Sequence, residues 1–216
     1  VRQIGGYMGY NYEKWGRRYA ERNDMSAYLV HLTRESETIG DEIDVLVKIL
    51  TDRKLIGSST KSGFICGTDT AVCFQDAPLY SICQSVYYEQ KLRENAPEIK
   101  LRYSPMGLMF QKGLVHQSGG RPVIYDKTED AKKYLNQSEW WRIVNLNYDN
   151  PDSLIDWTHE REWRVKGDYQ FDLKNATLLV VNMDKAKQIN QLYKAKNGGD
   201  LFELLDGVIA LDKILY

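Results

Sequence analysis

Material for a metal site is scarce in this chain. Its three cysteines, Cys66, Cys73 and Cys83, form no Cys-x-x-Cys pair, and His116 and His159 stand at no ligand-like spacing from them. No metal is therefore expected, and the cysteines read as buried structural thiols of a protein kept in a reducing compartment. No apolar run approaches the ~18–20 residues of a membrane span, and no signal-peptide pattern is visible. A cytoplasmic location without a membrane partner follows as the expectation. An excess of one charge is missing too. With 29 Lys and Arg against 30 Asp and Glu, the formal net charge is −1. No global field draws the chain to nucleic acid, which leaves room only for a local basic patch. Gly-x-Gly-x-x-Gly, Walker and Gly-x-Ser-x-Gly patterns are absent. Gly119-Gly120 before Arg121 reads as a turn into a strand, with no phosphate loop.

What remains is an ordinary globular composition, 43% hydrophobic and 27% charged, in a length of 216 residues that suits one domain over 1–216. Fifteen tyrosines and five tryptophans stand out. Their apolar bodies and polar tips serve cores and binding clefts alike. Residues 1–28 interleave Tyr7, Tyr10, Tyr12, Trp15 and Tyr19 with Lys14, Arg17, Arg18 and Arg22. Such a segment can stack on and neutralise a nucleic acid strand. The spacing of Tyr12, Trp15 and Tyr19 also marks a single helical face that would pack on a core.

Strands are predicted over Tyr28–Thr33, Ala71–Phe74, Tyr103–Phe110, Pro122–Tyr125, Arg161–Val165, Thr177–Asn182 and Val208–Leu211. Helices are predicted over Thr38–Lys54, Ala77–Gln90, Asp130–Val144 and Lys185–Lys196, with a polar loop over Arg93–Lys100. Thr38 with Asp41 is a possible N-cap pair for the first helix, and Gly57 lies just past its end. Strands and helices mix without strict alternation, so the class is α+β.

The chemistry concentrates in Asp156-Trp-Thr-His-Glu160-Arg-Glu162-Trp163-Arg164-Val165. Read as a strand, it sets Glu160, Glu162 and Arg164 on one face. Two carboxylates so close are costly to desolvate unless a cation or a cationic transition state uses them. Glu162 would stabilise positive charge at an anomeric carbon, and Glu160 would orient or deprotonate a nucleophile. A solvated, charged edge strand is the plain alternative. Val30-His31-Leu32-Thr33-Arg34 offers an imidazole, a hydroxyl and a guanidinium on another strand, where a ribose or an amide could use His31 and Thr33. A half-buried core histidine is the plain reading there. Val72-Cys-Phe-Gln-Asp-Ala-Pro-Leu-Tyr80 joins a strand to a helix and could set Phe74 or Tyr80 against a planar ring.

The order and spacing of these blocks resemble DarT-type ADP-ribosyltransferase toxins and abortive-infection proteins of the AbiGi type. His31-Leu-Thr33 with Ile49-Leu50 and Leu55-Ile56-Gly57 is similar to the opening of the former. Val72–Tyr80, then Tyr103-Ser-Pro-Met-Gly-Leu108 and Gly119–Tyr125, are similar to successive blocks of the latter. Glu160-Arg-Glu162-Trp-Arg-Val165 falls where the catalytic glutamate strand of these families lies, and the resemblance covers residues 28–165.

That resemblance implies an ADP-ribosyltransferase-like split sheet, with flanking helices, that clamps NAD as substrate. His31 and Thr33 would hold the nicotinamide-side ribose or the amide, and Arg34 the phosphates. Glu162 would be the catalytic glutamate and Glu160 the first of a Glu-x-Glu pair. It further implies a toxin or antiphage effector that cleaves NAD and passes ADP-ribose to a macromolecule, with an antitoxin protein as a partner. A nucleic acid base, in DNA or RNA, is the preferred acceptor and a protein side chain the alternative. Phe74-Gln-Asp-Ala-Pro lacks the basic residue of DNA-modifying members, which leaves the acceptor open. A plain NAD glycohydrolase and a non-catalytic module that binds a nucleotide or a partner stand beside this reading.

Overall fold

The computed structural model describes residues 11–96 and 102–215. Tyr7 and Tyr10 of the aromatic segment, and 97–100 of the expected polar loop, lie outside them.

Helix α1 (Tyr12–Ala20) begins at Asn11, whose Oδ1 accepts from the Lys14 amide at 2.9 Å. Trp15 and Tyr19 meet edge to face at 4.2 Å. No α1 residue is fully buried, so the aromatic face is only partly covered. Strand β1 (Tyr28–Leu32) follows, then helix α2 (Glu42–Asp52). The buried side chains of α2, Ile43, Leu46, Val47 and Leu50, have the spacing the sequence predicts. Each contributes ~1.5–3 kcal/mol by leaving water. Of the expected pair Thr38 and Asp41, Asp41 is the cap: its carboxylate accepts from the amides of Ile43 and Asp44, each at 2.9 Å. At the other end Arg53 turns left-handed, φ 52°, well before Gly57. The chain thereby enters β2 (Lys54–Leu55).

Strand β3 (Ala71–Gln75) leads through Pro78 into α3 (Leu79–Asn95), which runs beyond the expected Gln90 and takes up the start of the expected loop. Strand β4 (Gly107–Gln111) is shorter than predicted, and Tyr103 precedes it in irregular chain. Helix α4 (Lys112–Gln117) was not predicted. The expected Pro122–Tyr125 strand is two, β5 (Arg121–Pro122) and β6 (Ile124–Asp126). The expected Asp130–Val144 helix is a correction of the same kind. Helix α5 (Thr128–Tyr134) stops where Leu135 turns extended, a 3-10 turn spans Gln137–Arg142, and β7 (Ile143–Asn145) takes the rest. Then come β8 (Glu162–Lys166), β9 (Tyr169–Gln170), β10 (Ala176–Val180), α6 (Met183–Asn197), β11 (Gly207–Ala210) and the short α7 (Asp212–Leu215).

The class is α+β. Seven strands form one mixed sheet in the order β11-β10-β4-β1-β3-β8-β5, parallel between β10 and β11 and antiparallel elsewhere. Two small sheets pair β2 with β9 and β6 with β7. One sheet face, with Leu29, Phe74, Leu108 and Phe110, packs on α2 and α6 through Leu46, Leu50, Ile189 and Tyr193. The other, with Val30, Met109 and Leu179, packs on Ile82 and Cys83 of α3 and on Leu211. The sheet is thin at one place. Strand β1 pairs with β4 along all five of its residues, but with β3 only where Val30 faces Gln75. Among the described residues, no helix is long and apolar enough to cross a membrane.

Candidate active site

A cleft of about 1220 Å³ opens at that thin place. It is larger than the ~300–1,000 Å³ usual for a small-molecule site. Its lining runs from α2 across the opening between β1 and β3 to the loop that carries Trp157 and Glu160. His31, Thr33, Arg34, Phe74, Glu160 and Glu162 all line it. Tyr80 does not: it stands 61% exposed on the outer side of α3, because Ile82, Cys83 and Val86 set the buried face of that helix.

His31 spans the opening. Its Nδ1 lies 2.8 Å from the Cys73 carbonyl oxygen. A carbonyl only accepts, so Nδ1 carries the hydrogen and Nε2 is left as an acceptor. Desolvation holds the imidazole pKa below its ordinary value, against the raising effect of the Cys73 carbonyl. The ring is therefore neutral. Thr33 is buried and its hydroxyl donates to the Met106 carbonyl at 3.0 Å, so its own hydrogen is already committed. Phe74 is 1% exposed and packs edge-on against His31, Phe110 and Tyr169. It backs the imidazole and offers no free face to a planar ligand. Arg34 is exposed at the cleft and has no hydrogen bond or ion pair among the described residues.

The two glutamates come together by a different route from the single strand that the sequence predicts. Glu160 ends a 3-10 turn, Thr158–Glu160. Asp156 anchors that turn by accepting from the Thr158 amide at 2.8 Å and hydroxyl at 2.7 Å. Arg161 is left-handed, φ 44°, and the strand begins only at Glu162. A non-glycine residue at such a φ is costly, and such residues gather at functional sites. The kink sends both carboxylates into one cleft. Glu160, 8% exposed, accepts from Tyr103 Oη at 3.0 Å and from Gln75 Nε2 in a short contact. His159 Nε2 lies 3.6 Å away. Burial, and then the charge of Glu160, push the Tyr103 hydroxyl pKa far up, so it stays a donor.

Glu162 is bound to Arg164, the next residue on its strand face. Arg164 Nε donates to Oε1 at 2.7 Å and Nη2 to Oε2 at 3.3 Å. The other three N–H groups reach the carbonyls of Trp141 at 2.7 Å, Ile143 at 3.2 Å and Phe64 at 3.1 Å. The guanidinium is 2% exposed and fully satisfied, so it works as a strut within the wall. The Glu162 amide donates to the Tyr125 hydroxyl at 2.7 Å, and burial raises that hydroxyl's pKa to about 12. On the opposite face, Trp163 Nε1 donates to Asp76 at 3.2 Å, and Asp76 pairs with Lys112 at 2.6 Å.

Gln75, Tyr103 and Tyr125 were not singled out from the sequence. Gln75 lay inside the Val72–Tyr80 block, but nothing in its spacing marked it. Two carboxylates and one arginine leave this wall one negative charge in excess, beside a neutral histidine. The arrangement suits a ligand with positive charge at its buried end. Among the described residues, no group of three or more His, Cys, Asp or Glu side chains is arranged to hold a metal ion. Of the aromatic segment, no described residue lines the cleft. At the cleft itself, the Arg102 guanidinium sits over the Trp157 ring at 4.2 Å. Comparison with protein-family models, with curated proteins and with solved structures gives no match for this chain.

Proposed function

We propose that this protein is an ADP-ribosyltransferase that cleaves NAD and passes ADP-ribose to a macromolecule, acting as a toxin or antiphage effector. The observation that carries the reading is the convergence of Glu160 and Glu162 in one cleft with His31 and Thr33 at the thin point of the sheet. That thin point is what the split sheet of the resembling families would provide. The net negative wall would favour the oxocarbenium-like centre that forms as the nicotinamide–ribose bond breaks. On this reading Glu162, held by Arg164, stabilises that charge. Glu160, held by Tyr103 and Gln75, receives the acceptor's proton. Arg34 is the cation left over for the diphosphate.

A nucleic acid base is the proposed acceptor. Its support is the Arg102–Trp157 stack at the cleft itself, since the described residues of the N-terminal segment, 11–28, do not line the cleft. An antitoxin partner belongs to the same proposal.

The test is release of nicotinamide from NAD by purified protein, with labelled ADP-ribose traced to nucleic acid, protein or water. Glu162→Gln is expected to lower turnover by ~10²–10³. Absence of nicotinamide release from the wild type, with a nucleic acid and a protein pool supplied, refutes the reading. Release without macromolecular label makes the protein a glycohydrolase.

A further inference from the structure

Strand β8 carries a second set of contacts on the face turned away from the cleft, and they converge on one residue. In the β3–β8 register Gln75 faces Glu162 and Phe74 faces Trp163. The pairing runs one step past the end of β3, where the Asp76 amide donates to the Arg161 carbonyl at 3.1 Å. Side chains alternate between the faces of a strand, so the Asp76 carboxylate lies on the Trp163 face, opposite Glu162. There its Oδ2 accepts from Trp163 Nε1 at 3.2 Å, and its Oδ1 pairs with Lys112 Nζ at 2.6 Å. Asp76 thereby holds both chain neighbours of Glu162, Arg161 by its main chain and Trp163 by its side chain. Arg161, at φ 44°, needs such restraint, because a left-handed arginine persists only where its surroundings over-determine it. On the other edge of β8, the Glu162 amide donates to the Tyr125 hydroxyl at 2.7 Å and its carbonyl accepts from the Val123 amide at 3.0 Å. The Asp76–Lys112 pair is largely enclosed, so solvent screens it weakly. The ammonium also lies over the rings of Tyr19 at 5.3 Å and Trp163 at 5.9 Å.

We propose that Asp76 is a positioning residue for Glu162, acting from the far side of the sheet. Asp76 does not line the cleft, so it acts only through the two residues it holds. If Glu162 acts on NAD, an identification that rests on the function proposed above, Asp76 fixes where that carboxylate stands against the anomeric carbon. Its loss then lowers turnover and leaves binding of the dinucleotide unchanged.

The experiment compares Asp76→Asn with Asp76→Ala in the full chain, each combined with Lys112→Met so that neither leaves an unpaired ammonium behind. The Asn side chain can still accept from the Trp163 indole, and the Ala side chain cannot. In the first arm, kcat and kcat/KM for nicotinamide release should fall together by ~10–10²-fold from the Asn to the Ala variant, with KM unchanged. Trp163→Phe, which removes the donor and keeps the Asp76–Lys112 pair, should reproduce the loss and keeps the test open if the Ala variant does not fold. Equal turnover of the Asn and Ala variants, wild-type turnover of Trp163→Phe, or a change confined to KM overturns the proposal. In the second arm, hydrogen exchange at the Glu162 amide, followed by NMR, should be ~10-fold or more faster in the Ala variant than in the Asn variant. The amides of β10 should exchange alike in both. No difference at Glu162, or an equal rise throughout β10, also overturns the proposal. If the wild type releases no nicotinamide and the exchange difference holds, the proposed reaction falls and Asp76 stands as the residue that positions Glu162.

Discussion

Replacing Arg164 by Leu removes one side chain and disturbs four others' partners at once. The side chain is 2% exposed and its ion-pair partner Glu162 13% exposed, so solvent screening is weak on both sides. The substitution leaves the Glu162 carboxylate without its counter-charge and the carbonyls of Trp141, Ile143 and Phe64 without a donor. Breaking a buried pair from one side costs ~3–5 kcal/mol, mostly for the charge that stays behind. Orphaned carbonyls cost ~1–3 kcal/mol each where water cannot reach them. These costs overlap, because the wall can open and admit water, so the expected loss is ~3–5 kcal/mol. Against a total stability of ~5–15 kcal/mol that is a large fraction. For a chain of this length it lowers the melting temperature by roughly 6–20 °C.

A double-mutant cycle separates the charge from the carbonyls. In Arg164→Leu with Glu162→Leu the stranded charge is gone, so the double variant should recover ~1–3 kcal/mol relative to Arg164→Leu alone. Urea denaturation of the four proteins measures this. The reasoning is refuted if Arg164→Leu costs less than ~1 kcal/mol, or if the two single losses simply add.

Three further outcomes follow from the same geometry. Arg161 sits at φ 44° between the two glutamates. Arg161→Gly should therefore match or exceed the wild type in stability and Arg161→Val should lose ~1–2 kcal/mol or more, and the opposite order in urea melts contradicts this. A Cβ on Gly107 would meet the His31 carbonyl and the Leu32 Cα, main-chain atoms of β1 that cannot swing away. Gly107→Ala should cost ~1–3 kcal/mol by thermal melting, and a neutral result would mean that β1 and β4 separate more easily than their register implies. For His31, desolvation lowers the folded-state pKa below the ordinary value of ~6.5. The unfolded chain then binds the proton first, so this contribution is fully present above about pH 6.5 and is lost as the pH falls toward the folded value. His31→Asn should flatten the fall in unfolding free energy between about pH 7 and about pH 5, and an unchanged slope would assign it to other groups.

Much of the fold could be read from hydrophobic spacing, and the failures have identifiable physical causes. Helix α2 was legible because Ile43, Leu46, Val47 and Leu50 repeat with the helical period and all are buried. Its start was misread because Ile39 continues the apolar pattern, yet Ile39 is 40% exposed and the Asp41 carboxylate holds the first amides instead. The expected Asp130–Val144 helix breaks at Leu135, whose carbonyl accepts from the Trp140 indole at 3.2 Å. A side-chain donor supplied from five residues on lets the chain leave the helix without stranding that carbonyl. Composition and periodicity carry no trace of such a bond.

The site divides along the same line. The pairing of Glu160 with Glu162 was legible because two carboxylates so near in sequence must share surroundings whatever the backbone does. The backbone that aims them was not, since an arginine at positive φ is the opposite of what local preference selects. The role of Arg164 lay further out of reach. Sequence showed a charge beside a charge, which serves a solvated edge strand equally well. What makes it a strut is the arrival of three carbonyls from the Phe64 loop, the Gln137–Arg142 turn and β7. Those segments are between 21 and 100 residues away along the chain. Local pattern reports which groups are near one another in sequence, whereas a buried guanidinium is defined by the acceptors the fold brings to it. Gln75 is a related case: the fold brings its amide nitrogen one carboxylate, while its Oε1 is buried without a hydrogen-bond partner.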